Sequence, residues 1–247
     1  GFHSQAGSLA FNAVGLGTVA LAQRFFRSRG ADPAEGATSD PLPWLLPLLV
    51  LTGTMMLTAA VSAGFDWLYP LRVGAVAVVL WFLRRHYREL SGSLSWVAVA
   101  AGALVFALWL ALEPPPRPGA EADFAATLAG VPRGWAVAWL VVRVIGSVVT
   151  VPLAEELAFR GYLLRRLIAA DFEAVPLGRL TWLSFLGSSL AFGLLHGRWV
   201  AGALSGMVFA LLLRHRGRLA DPVVAHVVAN ALIAAWVLGM GRWSLWM

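Results

Sequence analysis

The sequence predicts an all-α membrane protein, a polytopic helical bundle of about eight transmembrane helices, on three observations. Of its 247 residues 59% are hydrophobic and 13% charged, about half the charge of an average soluble domain. Mean hydropathy is +0.74. The apolar residues are also gathered into runs, parted by Pro-rich or Arg-rich segments. A spanning helix takes about 20 apolar residues, so the chain holds seven or eight spans and little soluble domain.

In order, the apolar runs lie at about 6–23, 44–64, 69–83, 95–112, 135–154, 180–197, 199–213 and 222–239. Between them, "RFFRSRGADPAEGATSDP" (24–41) and "EPPPRPGAEADF" (113–124) read as loops, because Pro stops helices and Gly, Asp and Ser favour turns. The first is the best domain boundary. All 19 basic residues are Arg, which with abundant Ala and Gly points to a GC-rich bacterial genome. They gather at 24–29, 84–88, 160–179 and 214–218, and eight spans put these groups on one side. The positive-inside rule makes that side cytoplasmic, which sets the expected location as a bacterial inner membrane. The link near Asp66, the segment 113–134 and the link near Arg198 then share the opposite side.

Composition also excludes classes. The net charge of +6 is not a nucleic-acid footprint, because the arginines sit at span ends. With no cysteine, disulfides, Cys-ligated metals and thiol nucleophiles are excluded within this chain. Gly1 opens the chain without a Met, and a fragment or processed piece is the expectation.

Polar residues inside apolar runs carry the functional signal, since a charge at membrane depth costs several kcal/mol and marks a site or a tight pair. "AEELAFRGYLL" (154–164) offers both. Glu156 and Arg160 are four apart and able to pair on one helical face. Glu155 is rotated about 100° away, which makes it the freer carboxylate, suited to a general base acting on water. "AFGLLHG" (191–197) puts Phe192 and His196 on one face, and "AHVVANAL" (225–232) does the same for His226 and Asn230. Asp221-Pro222 ahead of it reads as an N-cap followed by Pro at the first helical position. Singly, each has a structural explanation, a packed imidazole or an interhelical hydrogen bond. Together, a carboxylate, two imidazoles and an amide from three helices suit activation of water and stabilisation of an oxyanion. His86 and His215 lie in basic loops and are set aside. Gly202 and Gly206 have the spacing for close helix packing.

A simple hydropathy map separates these groups, with Glu155 at the inner end of the fifth span and His196 near the outer end of the sixth. The expected resolution is one long or broken fifth helix reaching about residue 168, which carries Glu155 to mid-depth. Irregular backbone is tolerated there when it lines a cavity.

The motifs resemble those of the CPBP family, intramembrane proteases related to CAAX prenyl endoproteases. "EELAFRG" resembles its EExxxR motif, "FGLLH" its FxxxH motif and "HVVAN" its HxxxN motif. The resemblance covers about residues 44–247. It implies an intramembrane endopeptidase cutting near the C-terminus or membrane anchor of a protein substrate. Glu155 is then the catalytic glutamate, His196 its water-activating partner, and His226 with Asn230 the oxyanion-binding groups, supported by Glu156, Arg160 and Phe192. No metal is favoured; a zinc ion, if present, takes Glu155, His196 and His226, since zinc sites use three protein ligands plus water.

"GFHSQAGSLAFN" (1–12) looks like the end of an exosortase-type transpeptidase, with His3 as its catalytic His. That resemblance implies an exosortase remnant at 1–30, a linker at 31–43 and the protease domain at 44–247. An upstream exosortase domain is the implied partner in the full-length chain, from a system that sorts proteins bearing VPEID-like C-terminal anchors. Beyond it the expected partners are the lipid bilayer and a peptide substrate, with no nucleic acid. Two rival readings are a non-catalytic scaffold or immunity-type protein of the same fold, and a proton-coupled transporter.

Overall fold

The computed structural model describes residues 39–62, 65–92 and 94–246; the expected exosortase-like segment 1–30, the first apolar run and His3 lie outside them. The described chain is a bundle of helices. Helix α1 is Leu42–Val61 and α2 is Tyr69–Leu83, each with a proline in its first turn, where the missing N–H costs nothing. Helix α3, Trp96–Ala111, is capped by the Ser95 hydroxyl accepting from the Ala98 N–H. Helix α4 is Ala120–Ala129 and α5 runs from Arg133 to Arg166. Helix α6, Trp182–Leu194, opens with a reciprocal cap between Thr181 and Ser184. Helices α7, Trp199–Arg216, and α8, Ala220–Met240, each end on a left-handed glycine, Gly217 and Gly241, the conformation glycine adopts without steric cost.

Three of these, α1, α5 and α8, are long and apolar enough to cross a membrane. Helices α3 and α6 are apolar but shorter. Trp81, Trp96, Trp135 and Trp182 are largely exposed near helix ends, the placement of an aromatic belt at a membrane interface.

Two local expectations need correction. The segment 113–124 is not all loop, because α4 begins at Ala120, with Glu121 and Asp123 complementing the positive end of its dipole. Asp221 is not an N-cap either. It lies inside the first turn of α8, where Arg218 takes both its oxygens at 2.8 and 3.0 Å. A carboxylate held bidentately by a guanidinium gains more than one accepting a single backbone N–H.

The two ends of the bundle differ in composition. At the basic end Trp44, Tyr87, Leu157, Phe172 and Leu219 share a core, Arg165 pairs with Glu89 at 3.3 Å, and Gly178 lies against the carbonyls of Leu213 and Arg214. At the other end Tyr69, Leu128 and Trp139 pack with Phe65, Phe124 and Trp243. There Glu113 faces Arg198 at 3.8 Å and Arg242 at 3.2 Å. The central core, Phe159, Phe192, Phe209 and small residues of α3 and α8, lies between.

Helices α6 and α7 touch backbone to backbone. A Cβ on Gly193 would stand 2.5 Å from the Trp199 carbonyl oxygen and 2.7 Å from the Ala203 nitrogen, and one on Gly206 3.0 Å from the Ser189 Cα. Gly193→Ala is expected to cost about 1–3 kcal/mol, because backbone cannot step aside as a side chain does. Thermal unfolding in detergent measures it, and an unchanged midpoint would mean the helices are not held this closely.

Candidate active site

Helix α5 resolves the conflict between Glu155 and His196. It continues through 34 residues, about 50 Å at 1.5 Å per residue, so Glu155 sits well inside it. Two wide, π-helical stretches interrupt it, Gly146–Thr150 and Leu157–Leu163, with Val151–Glu156 in ordinary helix between them. Such widenings accompany functional sites and helix irregularities. Here Pro152 supplies a cause, since its ring collides with a carbonyl four residues back in a regular helix.

The wide turn has a consequence for Asn230. The Val151 N–H donates to the Gly146 carbonyl, five residues back. The Ser147 carbonyl, in the same register, would need the N–H of Pro152, which has none. The Asn230 amide on α8 donates to that carbonyl at 2.7 Å. An orphaned buried carbonyl costs about 1–3 kcal/mol, so the Asn230 side chain is pinned from a second helix.

Glu156 is fully buried, and its carboxylate is shared by two helices. Arg160 Nη1 donates to Oε1 at 3.3 Å, and Nε stands 3.1 Å from Oε2 in an orientation that is an ion pair more than a hydrogen bond. His226 Nδ1 lies 2.9 Å from Oε1. The Arg160 guanidinium also donates to the Gly206 carbonyl at 3.0 Å and lies over the Phe192 ring at 4.3 Å and the Phe209 ring at 5.2 Å. Its charge is thus compensated on one side and covered by aromatic faces on the other.

Glu155 has a different setting. It is 6% exposed, and its Oε2 has no hydrogen-bond partner among the described residues. His196 Nε2 lies 3.7 Å from that oxygen and His226 Nε2 3.9 Å. Both rings are oriented from behind, His196 by the Phe192 carbonyl at 2.8 Å and His226 by Glu156. Those acceptors assign the proton of each neutral ring to Nδ1. Two Nε2 lone pairs then face one carboxylate oxygen, at distances too long for direct hydrogen bonds.

These groups line one cavity of about 400 Å³, which Glu155, His196, His226 and Asn230 share with Trp109, Arg143 and others. The residues singled out from the sequence therefore meet, with Phe192 and Arg160 packed behind them. His86 and His215 are exposed and apart from it. Sequence reasoning missed Ser147, whose role needs the wide turn, and Arg143, although a lone Arg in "AWLVVRVIGSVV" is itself a signal.

Residues 137–232 match the model of a family described as Rce1-like, type II CAAX prenyl endopeptidase. The matched stretch begins inside α5, ends inside α8 and contains the four convergent polar residues. The matched stretch is similar to that family and covers less than half of the chain. The match does not extend to the exosortase-like segment. No curated protein and no solved structure matches the chain.

Proposed function

We propose, for a chain whose residues 137–232 resemble the Rce1-like, type II CAAX prenyl endopeptidase family, an intramembrane endopeptidase in which Glu155 and His196 activate water. The observation that carries this reading is the convergence of two imidazole Nε2 atoms on one carboxylate oxygen, at 3.7 and 3.9 Å. Facing lone pairs repel unless a hydrogen donor lies between them, and a water there can donate one hydrogen to Glu155 and the other to an imidazole Nε2, two partners, enough to hold it in a polar cavity. Glu155 takes a proton from that water as it attacks the scissile carbonyl, and His196 aligns it. The proton then passes to the leaving amine, which completes the hydrolysis. His226 and Asn230 stand on the same side of α8, one turn apart; Asn230 offers the developing oxyanion the amide hydrogen that Ser147 does not take, and His226 offers an Nε2–H in its protonated form. Glu156 and Arg160 hold His226 in the orientation this requires. The substrate is a membrane-bound protein cut near its C-terminus or anchor, at the surface of a lipid bilayer.

A zinc ion takes the same donor types, although among the described residues no group of three such side chains is placed to hold a metal. Glu155, His196 and His226 would have to hold it, and both rings already have the rear hydrogen bonds that orient metal-binding histidines. Bound there it would act as a Lewis acid on water or carbonyl. We favour the metal-free reading, because the donors lack the paired HExxH spacing of common zinc proteases. Purified protein is therefore expected to cleave at full rate after chelation and to carry no stoichiometric metal. Zinc at one per chain, with activity lost on chelation and restored by zinc, would overturn it.

A further inference from the structure

Among the described residues, Arg143 has no counter-ion within ion-pair distance in the cavity that holds Glu155. Three arginines lie in or behind that cavity, and the other two are paired. Arg160 is taken by Glu156. Arg72 meets Asp66 at 2.8 Å and donates to the Thr58 hydroxyl at 2.8 Å. Arg143 has no carboxylate within ion-pair distance among the described residues. Its guanidinium lies 4.3 Å from the Tyr69 ring centroid, and its buried Nε–H has no acceptor there. It donates to a main-chain oxygen, the carbonyl of Trp246, at 2.8 Å. Trp246 itself lines the cavity.

An unpaired guanidinium inside an apolar helix is costly, and such groups mark substrate paths. The oxygen it already contacts belongs to the short 3-10 turn Trp243–Trp246, whose Leu245 and Trp246 line the cavity, so the place accommodates main-chain oxygen. A peptide ending in a free carboxylate would bring two such oxygens with a full negative charge, the planar group that a guanidinium fork recognises best. We propose that Arg143 anchors the C-terminal carboxylate of the peptide that occupies this cavity. Arg143 and Glu155 are twelve residues apart on α5, about 18 Å of helix rise. An extended peptide covers that distance in about five residues. The fragment released is accordingly about five residues long, a length that rests on the protease reading above; the anchor itself does not.

The test separates the two. The probes are N-acetyl-Ala-Val-Leu-Phe with a free C-terminus and the same tetrapeptide as its C-terminal amide, both too short to reach Glu155 from the anchor. Binding to the full chain in detergent is followed by its tryptophan fluorescence. The acid is expected to bind about tenfold tighter than the amide or better, the share of a charge-assisted hydrogen bond. That advantage is expected to vanish in Arg143→Gln and to persist in part in Arg143→Lys. Equal binding of acid and amide by the unaltered protein would overturn the proposal, even if Arg143→Gln failed to fold. So would an acid advantage that survives Arg143→Gln. Inorganic phosphate binding at Arg143 while the acid gains nothing would reassign the cation to a phosphate headgroup, and overturn it too. With longer peptides, cuts at a constant distance of about five residues from a free C-terminus support the length. Cuts that ignore the position of the C-terminus would refute it.

Discussion

Glu155→Gln is expected to lower peptide cleavage by about 10²–10⁴-fold, the contribution of a positioned general base, while leaving the fold intact. The reason lies in what the carboxylate touches. Its Oε2 makes no hydrogen bond among the described residues, and its nearest polar neighbours are the two Nε2 atoms at 3.7 and 3.9 Å. Glutamine keeps the shape and removes the basic oxygen, so packing in the cavity wall is unchanged. Cleavage of a membrane-anchored peptide in detergent, set beside the thermal midpoint, separates the two effects. Wild-type turnover in the variant would remove Glu155 from the role of base. Loss of turnover accompanied by an equal loss of folded protein would make it structural instead.

The neighbouring substitution is expected to behave oppositely. Glu156→Gln leaves the Arg160 guanidinium, 1% exposed, without its negative partner. Breaking a buried ion pair from one side costs about 3–5 kcal/mol, because the remaining charge stays desolvated. The Gly206 carbonyl and the Phe192 and Phe209 rings soften that loss without removing the charge. His226 also loses a charged partner at 2.9 Å, so the surviving folded fraction is expected to cleave more slowly as well. Thermal or denaturant unfolding in detergent provides the measure. A change below about 1 kcal/mol, the scale of an exposed pair, would contradict the buried network.

The Glu156–Arg160 pair was legible because both residues lie on one helix, where spacing alone decides proximity. The same holds for the freedom of Glu155, which follows from its rotation away from that pair. Meeting across helices was legible only as an expectation from several polar residues in separate apolar runs. A hydropathy window averages over a whole span and places each residue by its distance from the run's end. It therefore put Glu155 at a helix terminus, where the continuous α5 carries it inside the bundle.

What the sequence by itself determined is what depends on near neighbours in the chain. It specified apolar helices, Pro and Gly at their ends, and the pairing of Glu156 with Arg160. Each follows from backbone sterics, periodicity or solvation of a short segment. Tertiary structure alone decided what depends on groups far apart in the chain. The Ser147 carbonyl needs Asn230, 83 residues away, only because a wide turn before Pro152 leaves it unsatisfied. His226 turns its Nε2 toward Glu155 because Glu156, 70 residues away, holds its other nitrogen. Arg143 stands in the cavity without a carboxylate among the described residues, while Arg72 in the same cavity is paired with Asp66. Where little water enters, most buried polar atoms find their partners in the protein. The pairing of any one group therefore depends on which neighbours the packing has already engaged, and short-range patterns carry no record of that.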